Sequence, residues 1–199
     1  MLIDLKYCFD IVPLKYHAII LIIFLLFLSC RSVLCNDPEI TVVPPNFPTD
    51  TSKLRIEKTA ISRISSDNFH YLNSLEFLWM SFNSLNSLNV DSFRGLYNLD
   101  ELRLDGNTLT SFPWEALTDM PNLRLLDLHN NKISSIPAES TMYIKNITYL
   151  DLSSNSLTTV PADVLSMWLS VKPSQDTDSK LILGEDQAVT YKDTGTFSF

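Results

Sequence analysis

A curved α/β-type solenoid, with parallel strands along its concave face and irregular or short helical segments on its convex side, is the fold this sequence predicts. Three observations lead to it. One pattern recurs at a strict spacing of 24 residues: Leu99 to Leu109 reads L-x-x-L-x-L-x-x-N-x-L, and the same template starts at Leu75, Leu123 and Ile147. A fifth, degenerate copy starts near Thr51 and carries Thr59 where the others carry asparagine. Apolar residues then align in columns down the copies, such as Leu54, Leu78, Leu102, Leu126 and Leu150. Finally, each unit is too small to bury its apolar side alone, so the copies must stack into one continuous core.

The strand of each unit is expected at the L-x-L core of the template. Its first inward column is the leucine column just given, and Ile56, Met80, Leu104, Leu128 and Leu152 form the second. Beyond the strand, Ile61, Leu85, Leu109, Ile133 and Leu157 turn inward, followed by Ile64, Leu88, Phe112, Ile136 and Val160. On the return side run Phe69, Phe93, Leu117, Thr141 and Leu165, then Leu72, Leu96, Met120, Ile144 and Trp168; only Thr141 departs from the apolar rule. The tight turn after each strand points backbone groups inward, and an amide side chain supplies both a donor and an acceptor for them. That assigns Asn83, Asn107, Asn131 and Asn155 to a structural ladder, with Thr59 doing part of the same work at the first copy. Pro113, Pro137 and Pro161 follow the last inward residue and are expected to fix the start of the return segment. The period and template are those of a leucine-rich repeat, and the expected architecture is a leucine-rich-repeat solenoid over 51–170.

Outside the repeats the chain changes character. Lys6 and Lys15 precede an apolar run from Ala18 to Leu28, too short to span a bilayer comfortably and suited to the core of a secretory leader. Residues 1–32 are therefore expected to be a signal peptide cut after Ser32, or an uncleaved signal anchor. Residues 33–50 are expected to form a partial N-terminal cap, and 171–199 an uncapped polar tail. The cysteines Cys8, Cys30 and Cys35 make poor disulfide arithmetic, since Cys8 leaves with a cleaved leader and Cys30 can reach Cys35 only in a short loop. Asn146-Ile147-Thr148 is a glycosylation sequon, and a glycan on Asn146 is expected if the chain enters the secretory pathway.

Composition excludes some functions. Fifteen Lys and Arg against 23 Asp and Glu give a net charge of −8, which argues against nucleic acid as a partner. Phosphate loops, metal-spaced His/Cys clusters and metalloprotease strings are absent from the sequence, and no cofactor or metal is expected.

Residues between the inward leucines face the concave side, because strand side chains alternate. Lys53, Arg55 and Glu57 are followed by Phe77, Trp79 and Ser81, then Glu101, Arg103 and Asp105, Leu125, Asp127 and His129, and Tyr149, Asp151 and Ser153. With strands about 4.8 Å apart, Arg55 and Arg103 flank Trp79 at cation–π range. Arg55, Phe77, Trp79, Arg103, Leu125, His129 and Tyr149 are the candidate partner-binding residues, since outward aromatics and arginines dominate interface energy. Asp105, His129 and Ser153 also invite a hydrolase reading, but an open sheet excludes little water and offers no oxyanion donors, so an enzyme is not expected.

The strings Arg55-Ile56-Glu57-Lys58-Thr59, Glu101 to Asn107, Phe112-Pro113-Trp114, Leu126 to Asn131 and Tyr149 to Asn155 together resemble the vertebrate leucine-rich repeat, immunoglobulin-like and transmembrane domain proteins, nearer their first or third member than their second. The likeness runs from about Ser32 to Gly184. It implies a non-enzymatic extracellular module for a protein ligand or receptor, at the start of the ectodomain of a retinal synaptic or adhesion protein held in the membrane. The sequence departs from the family upstream of Cys35, where further cap cysteines are missing, and after Gly184, where the family continues into a Cys-x-Cys cap and further domains. Both breaks suit a truncated isoform or an incomplete gene model. A secreted competitor, a product without function of its own and an intracellular scaffold are the alternatives.

Overall fold

The computed structural model describes residues 2–4, 32–171, 179–184 and 187–189. Among these, nine strands form one open sheet in strict chain order. They are β1 (Leu2–Asp4), β2 (Ser32–Cys35), β3 (Lys53–Ile56), β4 (Phe77–Trp79), β5 (Glu101–Arg103), β6 (Leu125–Asp127), β7 (Tyr149–Asp151), β8 (Lys180–Gly184) and β9 (Gln187–Val189). Every neighbouring pair from β1 to β8 is parallel, and β9 turns back antiparallel on β8.

The short strands follow from the template. Each repeat commits about three residues to the sheet, with one leucine facing the core between two outward residues, and the chain then turns away. Register is in phase: Leu54, Leu78, Leu102, Leu126, Leu150 and Leu181 lie side by side. All six are fully buried. A slip of one residue would put this whole row in water, so burial holds the register.

The turn after each strand is held by the asparagines. The Asn107 Oδ1 accepts the Leu85 N–H at 3.0 Å, while its Nδ2 donates to the carbonyls of Met80 and Leu104 at 2.9 and 2.8 Å. Asn131 and Asn155 repeat the arrangement one and two copies on, accepting the N–H groups of Leu109 and Ile133. Asn83 differs, and Thr59 explains it. The Thr59 Oγ1 itself accepts the Ile61 N–H, so the Asn83 Oδ1 accepts from Thr59 N and Oγ1 instead, at 2.9 and 2.8 Å. Just before each ladder residue the backbone is left-handed: Lys58, Phe82, Gly106, Asn130 and Ser154 have φ between 52° and 66°.

The convex side returns through short 3-10 turns at Val90–Phe93, Trp114–Asp119, Ala138–Met142 and Ile144–Asn146, then a true helix, α1 (Ala162–Val171). Pro113 and Pro137 stand immediately before two of the turns, and the Pro161 carbonyl accepts the Val164 N–H at 3.0 Å as α1 begins. Helix geometry changes which residue points inward. In α1, Val164 and Trp168 are buried four residues apart, whereas Leu165, expected in the inward column, is half-buried. Leu157, Val160 and Leu88 are likewise half-buried against the core edge. A further column of small residues, Ser92, Ala116 and Ser140, is fully buried and continues into Val164. Ser140 thus takes the interior place beside the polar Thr141.

Three boundary expectations meet the structure. Within 171–199, expected to be an uncapped polar tail, β8 extends the sheet and buries Leu181 and Leu183. Along β8 burial alternates, with Lys180 exposed and Leu181 and Leu183 facing the core. In 33–50, Val33, Cys35, Val43 and Phe47 are buried against the first repeat, and the Phe47 N–H donates to the Tyr71 hydroxyl at 3.0 Å. Of the expected leader only Leu2–Asp4 and Ser32 are described, as β1 and the start of β2. The apolar run, Cys8 and Cys30 lie outside the described residues. Among the described residues, no helix is long and apolar enough to cross a membrane.

Candidate protein-binding face

Two outward residues per strand build this face, and strand register sets them in rows. The first row runs Lys53, Phe77, Glu101, Leu125, Tyr149; the second runs Arg55, Trp79, Arg103, Asp127, Asp151. A third, just past the strands, is Glu57, Ser81, Asp105, His129 and Ser153.

Trp79 is the centre of the first half. The Arg55 and Arg103 guanidinium carbons lie 4.7 and 4.9 Å from its ring centroid, one from each neighbouring strand. Lys53 comes closer still, with Nζ 3.8 Å from the Trp79 centroid and 5.4 Å from that of Phe77. Cations favour the negative face of an aromatic ring, and here three of them surround one indole. Both arginines are also paired within their own repeats, Arg55 with Glu57 at 2.7 Å and Arg103 with Glu101. No carboxylate pairs with Lys53 among the described residues. Burial works against the Arg103 charge, but the Glu101 hydrogen bond and the carboxylates of Glu101, Asp127 and Asp105 hold its pKa above the ordinary value. Among the described residues, Trp79 Nε1 and Arg55 Nε are buried without a hydrogen-bond partner. Such donors are uncommon in folded proteins and carry a free-energy cost.

The second half is acidic. Asp105, Asp127 and Asp151 occupy successive strands and turns, and burial, reinforced by the other two carboxylates, pushes Asp127 up to about 6; the His129 N–H and Arg103 pull the other way. Tyr149 is raised as well, by burial and then by the Asp151 and Asp127 charges. The Tyr149 hydroxyl donates to Asp151 Oδ2 at 3.3 Å. Leu125 lies between Glu101 and Tyr149 on the first row, half-buried.

His129 and Ser153 do meet, with Nδ1 and Oγ 2.8 Å apart. The direction of the hydrogen bonds matters. Ser153 Oγ donates its one hydrogen to Asp151 Oδ1, so His129 is the donor to the serine oxygen. Nucleophilic catalysis needs the reverse, a serine that gives its proton to histidine. Asp127, the adjacent carboxylate, accepts the His129 backbone N–H at 3.0 Å. That bond does not orient the imidazole.

The structure thus brings Arg55, Phe77, Trp79 and Arg103 into one cluster and sets Leu125, His129 and Tyr149 beside it. Asn146 lies apart, exposed on the rim where the chain enters β7. Sequence reasoning left Lys53 out of the cluster, although alternation already placed it outward on the strand beside Trp79. It also missed Phe82, which is 54% exposed on the opposite rim and whose ring lies over Gly106.

Comparison with known proteins bears on the repeats that carry this face. The family model described as leucine rich repeat matches residues 49–109 and 97–157. Over 58 residues the chain is 55% identical to leucine-rich repeat, immunoglobulin-like domain and transmembrane domain-containing protein 3 of Mus musculus, covering 29% of this chain and 8% of that one. Protein 1 of the same series from Homo sapiens is 50% identical over 61 residues, or 31% of this chain and 10% of that one. The matched segment therefore spans about a tenth of these relatives' length. Among solved structures, a leucine-rich-repeat protein of Leptospira interrogans superposes with a TM-score of 0.55 at 26% identity, covering 69% of this chain and 36% of that one.

Proposed function

The chain belongs to the leucine rich repeat family, and on that premise we propose that it is an extracellular, non-enzymatic module that docks a partner protein across its concave sheet. The observation that carries the reading is Trp79, an outward, half-buried indole ringed by Lys53, Arg55 and Arg103 on the concave sheet face. Aromatic and arginine side chains that lose water on contact contribute most of the free energy at interfaces. Phe77, Leu125 and Tyr149 extend the apolar contact, while the cationic and acidic halves set orientation and exclude partners of the wrong charge pattern. Its relatives' names include a transmembrane domain, which supports entry into the secretory pathway, a glycan on Asn146 and a place at the cell surface. The retinal, synaptic setting rests on the resemblance alone.

The test is a binding screen of the secreted repeat module against cell-surface ectodomains, repeated with Trp79→Ala. Loss of an interface hot spot costs at least about 2 kcal/mol, roughly thirtyfold in Kd. The variant should keep its thermal unfolding profile, since Trp79 lies outside the leucine core. Unaltered affinity for every ligand found would remove this face from the proposal.

A further inference from the structure

A second asparagine column runs along the rim where the chain enters the strands. Asn98, Asn122 and Asn146 stand 24 residues apart, and each Nδ2 donates to a backbone carbonyl of the preceding repeat: Asn73, Tyr97 and Pro121, at 2.7, 2.9 and 3.0 Å. All three are exposed. Of the three, Asn146 alone is followed by x-Thr. Its amide is held by the Pro121 carbonyl at the end of a 3-10 turn, so the direction in which its second hydrogen points is fixed. An N-linked sugar replaces one amide hydrogen and leaves the other, so this bond survives modification.

Further along the same rim stands Tyr97. It is 54% exposed, and its hydroxyl makes no hydrogen bond among the described residues. Tyr97, Pro121 and Lys145 form a column beside the asparagines, which puts Tyr97 two repeats from Asn146, or about 10 Å at the spacing of adjacent strands. The residue between them on that column is the short ring of Pro121, which leaves the path low. An exposed aromatic ring on an otherwise polar rim invites contact with an amphipathic partner. Sugar rings, with apolar C–H faces and polar edges, are such a partner.

We propose that Asn146 carries an N-linked glycan whose core sugars lie back along this rim and stack on Tyr97. The inference rests on the secretory reading above. It also gives that reading a direction: the glycan covers the strand-entry rim, so a partner reaches the concave face across the opposite rim, past Phe82. The test uses the full chain expressed in mammalian cells, with the glycan intact or trimmed by an endoglycosidase to its first sugar. Nitration of Tyr97 by tetranitromethane is followed by mass spectrometry, with Tyr149 as internal reference. The expected result is severalfold faster nitration of Tyr97 after trimming and in Asn146→Gln, with Tyr149 unchanged. A glycan that leaves Tyr97 nitration unaltered overturns the stacking and spares the secretory reading. An Asn146 without any glycan overturns both.

Discussion

Replacing Asn107 by leucine removes one rung of the buried ladder while keeping the space filled and water out. The bonds at risk are specific. Among the described residues the Leu85 N–H has only the Asn107 Oδ1 to donate to, whereas the two carbonyls that Asn107 serves at 2.9 and 2.8 Å keep a second amide, Met80 from Asn83 and Leu104 from Asn131. The longer contact to the Asp105 carbonyl is backed by the Phe82 N–H. One orphaned buried N–H costs about 1–3 kcal/mol, and each weakened carbonyl adds roughly 0.5–1. The sum is about 2–5 kcal/mol, a large part of a typical domain's stability. For a chain of this length about 2–4 °C of Tm accompanies each kcal/mol, so a fall of roughly 4–20 °C is expected by circular dichroism or calorimetry. Asn122→Ala, which removes an exposed rim bond to the Tyr97 carbonyl, serves as the control and should fall within about 0.5 kcal/mol of wild type. An Asn107→Leu loss below about 1 kcal/mol would refute the assignment of the turn's stability to this rung.

Other perturbations test other features. Asp127 has its carboxyl raised from 3.8 to about 6, so the folded state binds this proton more tightly than the unfolded chain does. Stability from that proton is complete below pH 3.8 and is lost as pH rises through about 6. Asp127→Asn keeps the acceptor for the His129 N–H and should raise Tm at pH 7.5 but not at pH 3.5; an equal gain at both would contradict the burial argument. Gly106→Ala places a Cβ 2.5 Å from the Phe82 ring at a φ of +66°. It should destabilise by at least about 1–2 kcal/mol, and adding Phe82→Ala should recover the steric part only. Full recovery in urea unfolding would show the left-handed backbone to be free of cost.

Much of the fold was legible because periodicity and burial say the same thing twice. Leu54 through Leu150 can be read as inward from spacing alone, since any other register would expose the whole row. Spacing does not reveal which kind of turn closes each repeat. Leu165 is only half-buried because α1, at about 3.6 residues per turn, turns Val164 and Trp168 inward instead, and its own place in a column of 24 does not carry that information. Asn98, Asn122 and Asn146 share the same spacing as the buried asparagines, yet apolar columns draw the eye first and exposed polar ones pass for decoration. Strand β8 follows β7 by 31 residues, outside the period, so only its short apolar run Leu181-Ile182-Leu183 announces it. At the binding face the outward set was legible from alternation, whereas the approach of Lys53 to Trp79 and the Ser153–Asp151 bond depend on side-chain torsions that the sequence does not display.

The asparagine ladder also bears on how such a stack changes length. Each rung closes a donor in the repeat before it and shares a carbonyl with its neighbour, so an interior copy leaves nothing open. A stack of four repeats and one of fourteen have the same number of loose ends, because the unsatisfied group belongs to the terminus and never to the unit. Duplicating or deleting a whole unit inside the array is therefore nearly neutral for backbone hydrogen bonding, while removing part of one breaks a rung. Such an array can lengthen its partner-facing surface in whole steps, and selection on length can act on reach with little penalty in folding.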